Sequence, residues 1–105
     1  LTIHEPIPGI KEIPIGTIPT LRLPIVWVFM RNLGNWYTQF GINGLLRRNI
    51  TPNIYIHSWE CTPLTSRTVP WYFTRRTGQP FLEQLEKFII HNKHHGFCRL
   101  DQLID

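Results

Sequence analysis

A chain of 105 residues and 12.5 kDa holds one domain with a modest core, and is shorter than a complete β/α barrel. With 42% hydrophobic and 17% charged residues, the composition excludes long disorder, and no apolar run reaches membrane-spanning length. A net charge of +4 permits attraction to anionic polymers, but the adjacent basic pairs are only Arg47-Arg48 and Arg75-Arg76. No nucleic-acid-binding motif accompanies them, so they read as solvated surface charge and nucleic acid is not expected as a partner.

The chain opens on Leu1 and its one methionine is Met30, so an upstream region is expected. No signal-peptide pattern stands at the N-terminus, and the cellular location is left open. Cys61 and Cys98 are too few for a disulfide scaffold or a zinc knuckle; one pairing and two reduced thiols are equally compatible with them.

From Leu1 to Pro24 the chain carries Pro6, Pro8, Pro14, Pro19 and Pro24. Proline lacks a ladder donor, so this third predicts extended segments broken by turns, with Lys11 to Ile15 the best strand. Ile25 to Met30 is a continuous apolar run that favours a buried strand, although a first helical turn after Pro24 has the same appearance. Gly34 marks a loop. Phe40, Ile42, Leu45 and Leu46, followed by Arg47 and Arg48, predict a helix over 38–48, which Gly41 and Gly44 weaken by about 1 kcal/mol each.

Thr51-Pro52 is a turn signal, and 53–57 is a short β-branched and aromatic run ending in His57. Polar groups at the carboxyl end of a buried strand are where α/β folds keep their chemistry. A half-buried structural histidine is the plainer account of the same residue. A long connection over 61–79 carries Trp71, Tyr72 and Phe73, aromatics suited to packing on the core or to stacking on a sugar. A helix then begins at Pro80, with Phe81, Leu82, Leu85, Phe88 and Ile89 as its apolar stripe and Gly96 as its stop. Residues 97–100 read as a terminal strand and 101–105 as a last turn. Alternating strands and helices predict an α/β fold with parallel strands joined by crossover helices.

His91, His94 and His95 stand three and four apart, a spacing able to chelate zinc, but no nearby cysteine or carboxylate completes a set of four. Favourable contact with the carbonyl end of a helix is the plainer account of them. No phosphate loop, nucleophile elbow or zinc-protease motif is present.

Three stretches in order resemble the C-terminal part of polysaccharide deacetylases, carbohydrate esterase family four, in the branch associated with exopolysaccharide assembly. Lys11-Glu12-Ile13-Pro14-Ile15 resembles a Glu-hydrophobic-Pro strand. Tyr55-Ile56-His57-Ser58-Trp59-Glu60 resembles an apolar-x-His-Pro-Trp-Glu segment, with Ser58 in place of the proline. Leu82 to Leu103, with His95-Gly96-Phe97 and Leu100-Asp101-Gln102-Leu103, resembles the closing helix, strand and turn.

The resemblance implies one partial domain over 1–105, the C-terminal portion of a deformed β/α barrel with few parallel strands. It implies His57 as the general acid that protonates the departing amine, a role needing a protonated imidazole that a neighbouring carboxylate favours. Tyr55, at a position where leucine is commoner, would wall the acetyl pocket, with Trp59 and Glu60 also meeting substrate. The substrate would be a polysaccharide bearing N-acetyl groups, and the cofactor a divalent metal such as zinc. The family's Asp-Asp pair and its two metal-binding histidines do not occur before His57, where His4 is the only histidine. The metal, the base and the remaining barrel are therefore expected upstream, and the 105 residues are expected to be inactive alone. The alternative is a non-catalytic module that binds glycan or an assembly partner through Trp59, Trp71 and Tyr72. Exposed strand edges of a partial barrel also predict self-association.

Overall fold

The computed structural model describes residues 3–103. Its elements are β1 (His4–Ile7), β2 (Ile10–Glu12), α1 (Trp27–Leu33), α2 (Asn35–Arg47), α3 (Trp71–Thr74) and α4 (Gln79–Asn92). Short 3-10 turns lie at Ser58–Cys61, Lys93–His95 and Leu100–Leu103. Among the described residues, the one sheet is the antiparallel pair β1 and β2, with His4 opposite Glu12 and Ile7 opposite Ile10. Pro8 and Gly9 make its turn; the positive φ of 86° at Gly9 is one that glycine adopts without strain.

The expected parallel α/β sheet is therefore corrected: the described residues are about half helical with only a two-stranded antiparallel sheet, and do not form a portion of a parallel β/α barrel. Two of the four expected strands show why. The run at Ile25 splits, with Ile25 and Val26 extended and Trp27 onward helical. A helix places Trp27 and Arg31, four apart, on one face, and the Arg31 guanidinium lies 5.6 Å from the Trp27 ring centroid. At 97–99 there is no strand, and Phe97 is exposed. The 53–57 stretch is extended but makes only an isolated parallel bridge, Tyr55 to Val26. The expected last turn begins at Leu100 and is 3-10 through Leu103; its final two residues lie outside the described residues.

The core is two apolar clusters joined at one residue. Ile18, Ile25, Tyr37 and Leu45 form the first, and Met30, Ile42 and Phe88 the second; Ile54 packs against both. Buried positions of α2, namely Tyr37, Thr38, Gly41, Ile42 and Leu45, share one helical face. Gly41 is what lets that face approach the 16–25 segment, because a Cβ there would lie 2.6 Å from Ile25 Cδ1. The Tyr37 hydroxyl donates to the Pro24 carbonyl at 2.8 Å, and burial pushes the phenol above its ordinary value.

Helix α4 starts a residue before Pro80 and buries Phe81, Gln84, Phe88 and Asn92, so its inward stripe is partly polar. Leu82 and Ile89, expected in the stripe, are largely exposed. Together with Ile54, Ile56, Leu85, Phe97 and Leu100, Ile89 lines an open apolar groove of about 760 Å³.

The accessible surface is 7393 Å², against roughly 6,200 Å² for a compact chain of this mass. The radius of gyration is 15.0 Å, where about 13 Å is usual. Among the described residues the solvent-exposed β1–β2 ribbon has two strands, and edge strands invite another chain. The sedimentation coefficient is expected to rise with protein concentration through self-association at the ribbon and groove. A monodisperse monomer at high concentration would contradict that expectation.

Candidate functional site

The segment after Ile54 places three side chains, Tyr55, Trp59 and Glu60, around the imidazole of His57. In extended chain successive side chains alternate, so Ile54 and Ile56 line the apolar groove while Tyr55 and His57 take the opposite side. His57 ends the extended run at φ −115° and ψ 144°, and the chain then turns into the 3-10 helix of Ser58–Cys61. Those angles are the ones a residue takes before proline, so Ser58 occupies a place that a proline would also fit.

The His57 side chain is 28% exposed. Its ring stacks on Trp59 with centroids 5.1 Å apart and meets Trp27 edge-on at 5.3 Å. Trp27 in turn touches Trp59 and Phe73, each near 5 Å between centroids. Nε2 of His57 lies 3.0 Å from the Tyr55 hydroxyl; on the buried side the His57 side chain faces the backbone amide of Glu60 as one half of a capping box, without a close hydrogen bond to Nδ1. Tyr55 itself is 45% exposed.

Beneath the imidazole lies a buried ion pair. Arg31 donates from Nε to Glu60 Oε1 at 3.0 Å, and both side chains are completely buried. The second carboxylate oxygen, Oε2, accepts the His57 backbone amide at 2.7 Å and stands 3.8 Å from His57 Nδ1. Glu60 thus caps the turn from its third position. The remaining Arg31 nitrogens donate to the carbonyls of Phe73 and Arg75, tying the 61–79 connection to α1. Asn32 adds a bond to the Tyr72 carbonyl at 2.9 Å, and the amide of Gly78 donates to the Glu60 carbonyl at 2.8 Å.

His57, Tyr55, Trp59 and Glu60, all expected from sequence, therefore come together. Glu60 does so from below: its carboxylate is sealed from solvent and engaged by Arg31 and the His57 amide, while Tyr55, Trp59 and His57 keep part of their surface open to solvent. Trp71, 69% exposed, and Tyr72 lie edge-on to one another in α3, and Phe73 of the same helix reaches the Trp27 ring. Arg31 and Trp27 were not expected. The one signal for them is an arginine closing an apolar run four residues after a tryptophan, and nothing in it points to Glu60.

Among the described residues, no three His, Cys, Asp or Glu side chains gather into a group able to hold a metal ion. The divalent metal implied by the resemblance therefore does not fit the residues present around His57. His94 and His95 are exposed, with rings 3.9 Å apart, at the end of α4. No family model, curated protein or solved structure matches the chain.

The ion pair's geometry fixes what its disruption does. Arg31→Met leaves a buried carboxylate unpaired and is expected to destabilise the fold by about 3–5 kcal/mol. Arg31→Met combined with Glu60→Gln removes both charges and is expected to lose less than the single variant. Chemical denaturation of the two variants checks this, and a double variant weaker than Arg31→Met would contradict the pairing.

Proposed function

We propose that this chain carries the proton-donating wall of a carbohydrate N-deacetylase acting on acetamide groups of a polysaccharide. Hydrolysis of an acetamide breaks the C–N bond, and an amine leaves well only if its nitrogen is protonated as the bond breaks. His57 is the donor in this reading. The observation that carries it is an imidazole at the surface, flanked by Tyr55 and Trp59 and backed by a fully buried carboxylate. Packing on three sides limits rotation of the ring, which favours transfer to a fixed position. The Tyr55 and Trp59 rings offer apolar walls against which an acetyl group or a sugar face can lie.

The 105 residues do not hydrolyse substrate alone in this reading. Activation of the attacking water is not among the tasks the residues around His57 can perform, so in this reading their part is confined to proton donation and to walling the acetyl group. A glycan-binding module without catalysis is the second reading, and the exposure of Trp71 beside Tyr72 favours it.

Acetylated chito-oligosaccharide, offered with zinc to the chain in its native protein context, separates the two. Deacetylation is expected, and His57→Ala is expected to lower kcat by about 10²–10⁴-fold while changing KM little. Turnover that survives His57→Ala nearly unchanged would remove His57 as the acid. Saturable binding with no turnover, lost in Trp71→Ala, would favour the second reading.

A further inference from the structure

A polar pocket of about 260 Å³, sharing no lining residue with the apolar groove, opens between the start of α2 and the first half of α4. Gly34 and Asn35 line it from the α2 side, Arg76 from the long connection, and Glu83, Gln84 and Lys87 from α4. We propose that this pocket binds one sugar unit bearing a carboxylate, a uronate within a glycan. The inference does not rest on His57 as an acid and goes beyond that reading.

Two kinds of group want a partner here. The first are positive. Among the described residues neither Arg76 nor Lys87 is in an ion pair, although Glu83 stands four residues before Lys87. Helix α2 begins at Asn35 with no side chain capping it and no acidic residue in its first turn. The leading amides of a 13-residue helix have no partner within it and carry the positive end of its dipole. Two cations beside such amides favour an anion.

The second kind are acceptors. Gln84 is only 7% exposed; its Nε2 donates to the Met30 carbonyl, and its Oε1 has no partner. Asn35 repeats the arrangement, with Nδ2 donating to the Gln84 carbonyl at 2.9 Å and Oδ1 left over. Both nitrogens meet backbone carbonyls, which only accept, so neither amide can be turned over to exchange oxygen for nitrogen. Each oxygen is thus a fixed acceptor, and a buried acceptor without a donor is costly. Glu83 adds a carboxylate that accepts from Gln79 Nε2 at 3.4 Å.

A simple carboxylate answers the cations and leaves the three acceptors unmet, whereas an amine does the reverse. A sugar acid answers both. Its carboxylate suits Arg76, Lys87 and the α2 amides, and its ring hydroxyls donate to Gln84 Oε1, Asn35 Oδ1 and Glu83. Its single negative charge also balances the one positive charge that remains when Glu83 is set against Arg76 and Lys87. Trp36, 68% exposed, borders the pocket, since its Cδ1 lies 3.6 Å from where a Cβ on Gly34 would stand. The C–H face of a sugar ring can lie against that indole. The volume is below the roughly 300–1,000 Å³ of sites for larger ligands, which suits one ring with its neighbours in the glycan outside.

Titration of the chain with methyl glucuronide, followed by NMR of backbone and side-chain amides, tests this. Saturable shifts are expected at the backbone amides of Asn35 and Trp36 and at the side-chain amides of Asn35 and Gln84, with a Kd in the millimolar range. Methyl glucoside, which lacks the charge, and acetate, which lacks the hydroxyls, are each expected to bind about tenfold more weakly. Arg76→Asn and Lys87→Gln, both at exposed positions, are expected to weaken the glucuronide by about tenfold. Acetate or glutamate binding as tightly as methyl glucuronide would overturn the sugar, and methyl glucoside binding as tightly would overturn the carboxylate. Absence of shifts at these amides would overturn the site itself. The titration reads binding and not turnover, so its failure leaves the reading of His57 standing, and failure of that reading leaves this site standing.

Discussion

The contact on which the rest depends is the ion pair between Arg31 and Glu60, 3.0 Å long and closed to solvent on both sides. Removing two charges from water costs several kcal/mol for each ion, and their mutual attraction offsets this only when the remaining hydrogen-bonding groups are satisfied. Here they are. The carboxylate holds the His57 amide, and the guanidinium holds two carbonyls of the 61–79 connection. One pair of side chains 29 residues apart thus joins α1, the turn after His57 and the long connection. A well-packed apolar pair would give comparable stability; what the charges add here is a set of directional bonds that links these three segments.

With no parallel sheet among the described residues, this pair does what neighbouring strands do in an α/β fold. The 53–57 segment has a single bridge to Val26 and a backbone bond from the Gly16 amide to the Asn53 carbonyl at 2.7 Å. Ile54, wedged between the two apolar clusters, anchors it from below. The aromatic rings of Trp27 and Trp59 then confine the imidazole, each such contact contributing about 0.5–1.5 kcal/mol beyond burial. Local order at His57 comes from helix α1 and a capped turn, which explains how a chain with so much exposed surface keeps a defined site.

How far the sequence reveals this varies with the physics of each segment. Helices α2 and α4 are legible because a 3.6-residue period and terminal signals at Pro80 and Arg47 agree. Tyr55 to Glu60 is legible as a site because an imidazole, two aromatics and a carboxylate fall within six residues. The run at Ile25 is not, since six apolar residues suit a strand or a helix and tertiary contacts decide between them. Gly41 and Gly44 read as helix weaknesses, whereas Gly41 is required by the close approach of Ile25, a constraint local propensity does not contain. The partnership of Arg31 with Glu60 leaves no trace in local sequence, because nothing between them is periodic or paired.

The central claim is that the buried pair locks the turn that presents His57. Native-state hydrogen exchange at the His57 amide tests it most directly, since that amide is bonded to the sealed carboxylate of Glu60. Its exchange is predicted to require global unfolding, at the rate of core amides such as that of Leu45. Exchange as fast as that of an exposed loop amide such as Ser66 would contradict the account.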